Sequence, residues 1–218
     1  MNYHRYFFLV TALPALVVAD ELVHDPLVGS LSKGWSWRTE QAGAWRIDAQ
    51  GLEMRSMPGN LWAGSKDVRG WLFRPLPALR EGLAAEVTVK AEPQASYEQA
   101  GMIWHTDDAN YVKVMLERFE GKLVVNFVRE EADQPKIVAM APAEAGPVSL
   151  RLVVSRGKYE AQSRMAEAKE WTTIGTCDPL PQPPVQVGLG TMQGPKEKER
   201  WVRFTDFKIT QPSEAGAK

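Results

Sequence analysis

The chain of 218 residues contains a single cysteine, Cys177, so no intramolecular disulfide can staple it and its stability must come from a buried core. With no histidine or second cysteine close to it in sequence, Cys177 reads as a small, partly buried residue before a proline-rich loop rather than a reactive thiol. An excess of one charge is also missing. The net charge of −1, from 26 basic and 27 acidic side chains, gives no electrostatic reason to expect nucleic acid or an anionic membrane surface as a partner. There is no Gly-x-Ser-x-Gly elbow, no His-Glu-x-x-His zinc motif and no nucleotide-binding glycine loop, which leaves the enzyme classes built on them without support. No internal repeat and no linker long enough to divide the chain occur.

The one strongly apolar run lies at the N-terminus. Residues 1–6 include Arg5 and no acid, residues 7–18 are almost continuously apolar, and Ala19 offers a small residue before Asp20. That pattern predicts a signal peptide over 1–19 and an exported protein, periplasmic or extracellular. The run is about a dozen residues, short of the ~20 that a span needs, and Pro14 interrupts it. No membrane span is expected after cleavage.

Beyond it, an apolar content of 44% is ordinary for a globular chain, and its arrangement is that of strands. Short alternating segments recur at roughly 8–12 residue spacing, punctuated by glycine, proline and Asx residues, as in Met57-Pro58-Gly59-Asn60 and Glu92-Pro93. Residues 148–155 alternate strictly through Val148, Leu150, Leu152 and Val154. The expectation is one all-β domain over 20–210, a two-sheet antiparallel sandwich, with 211–218 as a polar tail. The only helix-tolerant piece, 163–169, is short and polar.

Residues 97–121 are the most informative. They read as two strands joined by Asp107-Asp108-Ala109-Asn110. Val112, Val114 and Leu116 share one face of the second strand, and Tyr111, Lys113, Met115 and Glu117 share the other. In the first strand Gln99, Gly101, Ile103 and His105 share one parity, so Gln99, His105, Lys113 and Glu117 can form a single polar patch. Asn126, opposite in parity to Val125 and Phe127, extends it, as does Arg151 between Leu150 and Leu152. Trp62, in a Pro-Gly-Asn-Leu-Trp loop, is either an aromatic lid over the patch or a residue folded onto the sandwich edge. Trp104 has the parity of Ala100 and Met102 and is expected in the core.

Several of these segments carry a family resemblance. Trp35-Ser36-Trp37-Arg38 with Trp45-Arg46, Gln99-Ala100-Gly101-Met102, Asp108-Ala109-Asn110-Tyr111-Val112-Lys113, Val187-Gly188-Leu189-Gly190 and the closing Phe204-Thr205-Asp206-Phe207 resemble concanavalin A-like β-sandwich modules. Such modules follow the catalytic domain in bacterial β-xylosidases and arabinofuranosidases, and the chain is also similar to the regulation-of-enolase-like domain of unknown function. The resemblance implies a jelly roll with one concave sheet able to hold a carbohydrate. It implies no reaction, since fold alone does not give function. The Glu-x-Asp-x-x-Glu strand of laminarinase-type relatives is absent, so the carboxylate pair of glycoside hydrolysis is not evident. The first reading is thus a carbohydrate-binding protein with ligand residues Trp62, Gln99, His105, Lys113, Glu117, Asn126 and Arg151. The alternatives are a hydrolase or lyase on the same scaffold, and an interaction module whose polar face is merely solvated around a Lys113–Glu117 pair. Jelly-roll modules often hold a structural calcium between their terminal strands; Asp25 and Asp206 are the residues placed for one, against the plainer reading of a turn aspartate and a solvated aspartate.

Overall fold

The computed structural model describes residues 19–213, so the expected signal peptide, Ala19 apart, and residues 214–218 of the expected tail lie outside the described residues. No helix occurs among the described residues. One sheet has eight strands. It runs β15 (Thr172–Cys177), β14 (Lys158–Met165), β13 (Pro147–Ser155), β8 (Ala84–Lys90), β17 (Trp201–Pro212), β4 (Gly51–Arg55) and β3 (Trp45–Asp48), and β1 (Ala19–Asp25) also pairs with β17. The other has seven: β12 (Gln134–Pro142), β11 (Lys122–Glu131), β10 (Asn110–Phe119), β9 (Gln99–Asp107), β16 (Gln186–Met192), β7 (Trp71–Pro75) and β2 (Ser36–Arg38). A separate hairpin is made of β5 (Leu61–Trp62) and β6 (Ser65–Lys66). All pairings in the two sheets are antiparallel, as expected for the sandwich.

Two expectations shift at the margins. The helix-tolerant piece begins as the last three residues of β14, through Met165. Gln211 and Pro212 belong to β17, where they pair with Asp20 and Ala19 instead of starting a tail.

The inward parity of both sheets makes one core. Ala100, Met102, Trp104, Val112, Val114, Leu116, Val125 and Phe127 from the seven-stranded sheet meet Val87, Val89, Leu150, Leu152, Phe204 and Phe207 from the other. Phe204 and Phe207 are three apart, so a regular strand would turn one of them outward. The ladder between β17 and β8 shifts register between Thr205 and Lys208, and Asp206 takes φ 53° there. This bulge inserts one residue, and both phenylalanines reach the core with no exposure.

A second, smaller core forms on the opposite face of the seven-stranded sheet. Glycines in β16 make room for it: a Cβ on Gly190 would stand 2.4 Å from the Trp71 ring, and one on Gly188 would stand 2.4 Å from the Phe73 ring. Both aromatic rings therefore lie flat against the β16 backbone. Gly190→Ala is expected to cost ~1–3 kcal/mol through this overlap, seen as a lower melting temperature in calorimetry. Gly64→Ala, in the hairpin turn with nothing within 4 Å, is expected to be neutral or stabilising by up to ~1 kcal/mol. Equal melting temperatures for the two variants would contradict this packing.

Candidate functional site

Register carries the polar row across the outer face of the seven-stranded sheet. Tyr111 stands opposite His105, Lys113 opposite Ile103, Met115 opposite Gly101 and Glu117 opposite Gln99; Met115 also faces Asn126 on β11. The face is not left to water. The hairpin folds over its centre, inserting Leu61 among Val68, Trp71, Phe73, Ile103, Tyr111, Met115 and Met192. Lys113, expected at the surface of the patch, is thereby fully buried.

Under the hairpin the polar groups converge on one backbone carbonyl. Lys113 Nζ donates to Leu61 O at 3.0 Å, and the Tyr111 hydroxyl reaches the same oxygen at 2.6 Å. Tyr111 also contacts Glu130 Oε2, which accepts from Ala63 N at 3.2 Å. Burial pushes the Glu130 carboxyl above its usual range. When it holds its proton it can donate to the phenol oxygen and leave the tyrosine proton for Leu61. Burial pulls Lys113 down to about 8, with Glu117 and Glu130 opposing the shift. Its ammonium lies 5.6 Å from the Trp62 ring centroid and 5.5 Å from that of Tyr111.

Beside the hairpin a cleft of about 330 Å³ remains open, with Gln99, Glu117, Asn126, Asn60 and Gln193 as its polar lining and Trp62, Tyr97 and Phe119 as aromatic walls. Asn126 Nδ2 donates to Glu117 Oε2 at 2.6 Å. A carboxylate only accepts, so this bond fixes the amide orientation and turns Asn126 Oδ1 away from it. Asn126 Oδ1 and Gln99 Oε1 are both buried without a hydrogen-bond partner, at a cost of about 1–3 kcal/mol each.

Tyr97 reaches the cleft through a strained backbone. It is half exposed, has φ 68°, and sets its ring 5.9 Å from Phe119. A bulky residue rarely takes that conformation, and its neighbours must impose it. Tyr97 N donates to Arg118 O at 2.7 Å. Next to it, Glu98 is a buried carboxylate that accepts from Arg200 at 2.8 and 2.7 Å and from the backbone N–H groups of Gln94 and Ala95 at 2.9 and 3.2 Å. Burial alone would raise its pKa, but these donors, Arg200 foremost, hold it below the usual range.

Four of the seven sequence-derived ligand residues, Trp62, Gln99, Glu117 and Asn126, thus meet in one cleft, and Lys113 lies beneath the hairpin that bounds it. His105 and Arg151 do not join them. His105 is six residues from Gln99 along β9, about 20 Å by strand rise. It is held between Gln186 Nε2, donating to Nδ1 at 2.9 Å, and Asp108 Oδ1, 3.0 Å from Nε2. Burial lowers its pKa, while Asp108 is held down at about 2, chiefly by the Arg38 guanidinium. The network borders a separate cavity of about 540 Å³ with Arg38, Lys66 and Asp108, too far from Glu117 for the two to share acid–base work. Arg151 lies on the other sheet, where it stands between Gln162 and Glu86. Tyr97 and Phe119 were not singled out in the sequence, although 97 shares the parity of Gln99 and 119 that of Glu117.

The aspartates proposed for calcium are engaged separately. Asp25 accepts from Leu27 N, Ser32 N, Ser32 Oγ and Trp35 Nε1 at 2.6–3.2 Å, which pins the loop after β1. Asp206 pairs with His24 at 2.8 Å and Lys208 at 3.1 Å. Four donors on one carboxylate and two basic groups on the other do not fit a Ca²⁺ ligand set. Among the described residues no group of three or more His, Cys, Asp or Glu side chains gathers for a metal.

Lys113 makes stability depend on pH in a definite direction. Between about 8 and its ordinary 10.5 the unfolded chain binds more protons at this side chain than the folded one, so its contribution to stability rises with pH across that window. Tyr111, pushed up by burial, acts oppositely above pH 10. In chemical denaturation from pH 7 to 10, Lys113→Met is expected to lose the rise that the native protein shows; parallel curves for both would refute the assignment.

Comparison with known proteins agrees with the sandwich. No curated protein matches the chain. Among solved structures, the GH43 protein BlXynB from Bacillus licheniformis is similar with a TM-score of 0.74 at 21% identity, over 88% of this chain and 40% of that one. Xylan β-1,4-xylosidase from Bacillus halodurans gives 0.71 at 15% identity, over 86% and 39%. A functionally unknown protein from Saccharomyces cerevisiae gives 0.62 at 17% identity, over 83% of this chain and 97% of its own. The chain therefore spans about two-fifths of the length of the two bacterial proteins, and identities this low speak for the fold alone. Residues 76–212, more than half of the sequence, match the family "Protein of unknown function (DUF1349)", and the chain belongs to that family.

Proposed function

We propose that this exported protein binds carbohydrate in the cleft walled by Trp62, Tyr97 and Phe119 and floored by Gln99, Glu117 and Asn126. The observation that carries the reading is the pair of buried acceptors, Gln99 Oε1 and Asn126 Oδ1, left without donors in side chains that line an aromatic-walled cleft. A sugar supplies both complements: hydroxyls donate to the planar polar groups, and its C–H faces pack on aromatic rings. Glu117, with Lys113 buried close by, adds acceptor strength without leaving a lone charge in the cleft. One structural neighbour is a xylan β-1,4-xylosidase, which makes xylo-oligosaccharides the first probe to use.

Binding is best measured by isothermal titration calorimetry, first with xylo-oligosaccharides and then with a panel of neutral and acidic oligosaccharides. Trp62→Ala and Asn126→Ala are each expected to weaken binding tenfold or more, which corresponds to about 1.4 kcal/mol. Asp206→Ala, far from the cleft at the β17 bulge, is expected to leave affinity unchanged. A panel without any binder, or a binder indifferent to both cleft variants, would overturn the proposal.

A further inference from the structure

We propose that the outer face of the eight-stranded sheet holds a second binding site, in which Arg151 and Gln162 receive a sugar bearing a carboxylate, such as a uronic acid. The proposal does not rest on the cleft of the other sheet. A cavity of about 730 Å³ lies here, more than twice the volume of that cleft. Arg151 on β13 and Gln162 on β14 are direct cross-strand partners on its floor.

Each of the two carries an unanswered polar atom. Arg151 Nε is buried and makes no hydrogen bond; it forms an ion pair with the Glu86 carboxylate at 3.7 Å, too long for a hydrogen bond. Arginine does not escape such a position by losing its proton, so the shortfall persists until an acceptor arrives. Gln162 Nε2 donates to Glu160 Oε1 at 2.7 Å. That bond fixes the amide and leaves Gln162 Oε1 buried without a donor.

The carboxylates lining the cavity already serve other donors. Glu160 also accepts from Thr173 Oγ1 at 2.6 Å. Glu81 accepts the backbone N–H groups of Arg156 and Gly157 at 2.7 and 3.1 Å. Trp171 sits by the guanidinium, its ring centroid 5.3 Å from Arg151 Cζ and 4.6 Å from Arg164 Cζ. A guanidinium presents its N–H groups in one plane, a geometry that suits a planar fork of two oxygens. The ligand must therefore offer a carboxylate to Arg151 and, beside it, a proton to Gln162 Oε1. A uronic acid has both, as its carboxylate is flanked by ring hydroxyls. Acetate has only the first and glucose only the second.

Titration of the full chain with glucuronate and galacturonate, followed by the Trp171 indole N–H resonance, tests this directly. Glucose, acetate and inorganic phosphate serve as separate arms. A saturable shift with at least one uronate is expected, with glucose and acetate binding at least tenfold more weakly. Arg151→Ala, Gln162→Ala and Arg151→Lys should each reduce uronate affinity tenfold or more while the chain still unfolds cooperatively. The lysine variant keeps the charge and loses the fork. Asn126→Ala should leave uronate binding intact, which separates failure here from failure of the cleft. Acetate or phosphate binding as tightly as uronate, uronate binding that survives Arg151→Ala, or no shift at tens of millimolar would each overturn the proposal.

Discussion

The carbonyl of Leu61 accepts from two buried side chains of β10, Lys113 and Tyr111, and the shape of the candidate site depends on that meeting. A hairpin of two-residue strands has almost no stability of its own. It persists because Leu61 and Val68 bury apolar surface against Trp71, Phe73 and Met115 while its backbone is fastened from beneath. Burying an ammonium is expensive, and the lowered pKa of Lys113 records the strain. Two nearby carboxyls, Glu117 and Glu130, offset part of it. The return is positional. The fastened hairpin holds Trp62 at the border of the cleft and closes the centre of the sheet, so only one end of the polar row stays open.

The sheet beneath had to be shaped for this cover. An outer face that carries a second core needs flat ground for large rings, and Gly188 and Gly190 provide it under Phe73 and Trp71. The Asp206 bulge works similarly from the opposite sheet, letting two phenylalanines of unmatched parity enter the main core. In one place missing side chains and in the other an extra residue allow the layers to pack. The price appears as positive φ at Asp206 and, at the cleft, at Tyr97 and Gln193.

Much of the fold was legible because strand alternation is a strong signal with a period of two. It placed Trp104, Val112, Val114 and Leu116 in the core and Lys113, Glu117 and Gln99 on the other face, where the structure has them. Parity, however, states which side of its own sheet a residue takes, and nothing about which sheet that is. Arg151 satisfied the same rule as Asn126 and lies on the opposite layer. Nor does parity say how far apart two residues lie: His105 and Gln99 share a face but stand at opposite ends of β9. The hairpin cover was hidden for a different reason. Leu61 meets Tyr111 across fifty positions of sequence, and a loop with one leucine gives no local sign of the carbonyl that two buried donors will seek. Without that contact, Lys113 and Glu117 looked like a surface ion pair. Asn126 is the partner that Glu117 holds at 2.6 Å.

The two outer faces of the sandwich, read together, separate into different chemistries by the same accounting of donors and acceptors. In the cleft, the unpaired atoms are oxygens of two amides, beside a carboxylate that accepts from one of them. Such a surface calls for donors. On the other sheet, the donor without a hydrogen bond belongs to a guanidinium ion-paired to Glu86 at 3.7 Å, and the unpaired acceptor stands directly across the strand. That surface calls for an anion and a donor at once. The deficits at Asn126 Oδ1 and Gln162 Oε1 arise because a carboxylate, Glu117 in one case and Glu160 in the other, takes the N–H group of the amide and thereby turns its oxygen away. A carboxylate next to an amide on the same sheet face is thus the device by which this fold leaves amide oxygens without an internal donor.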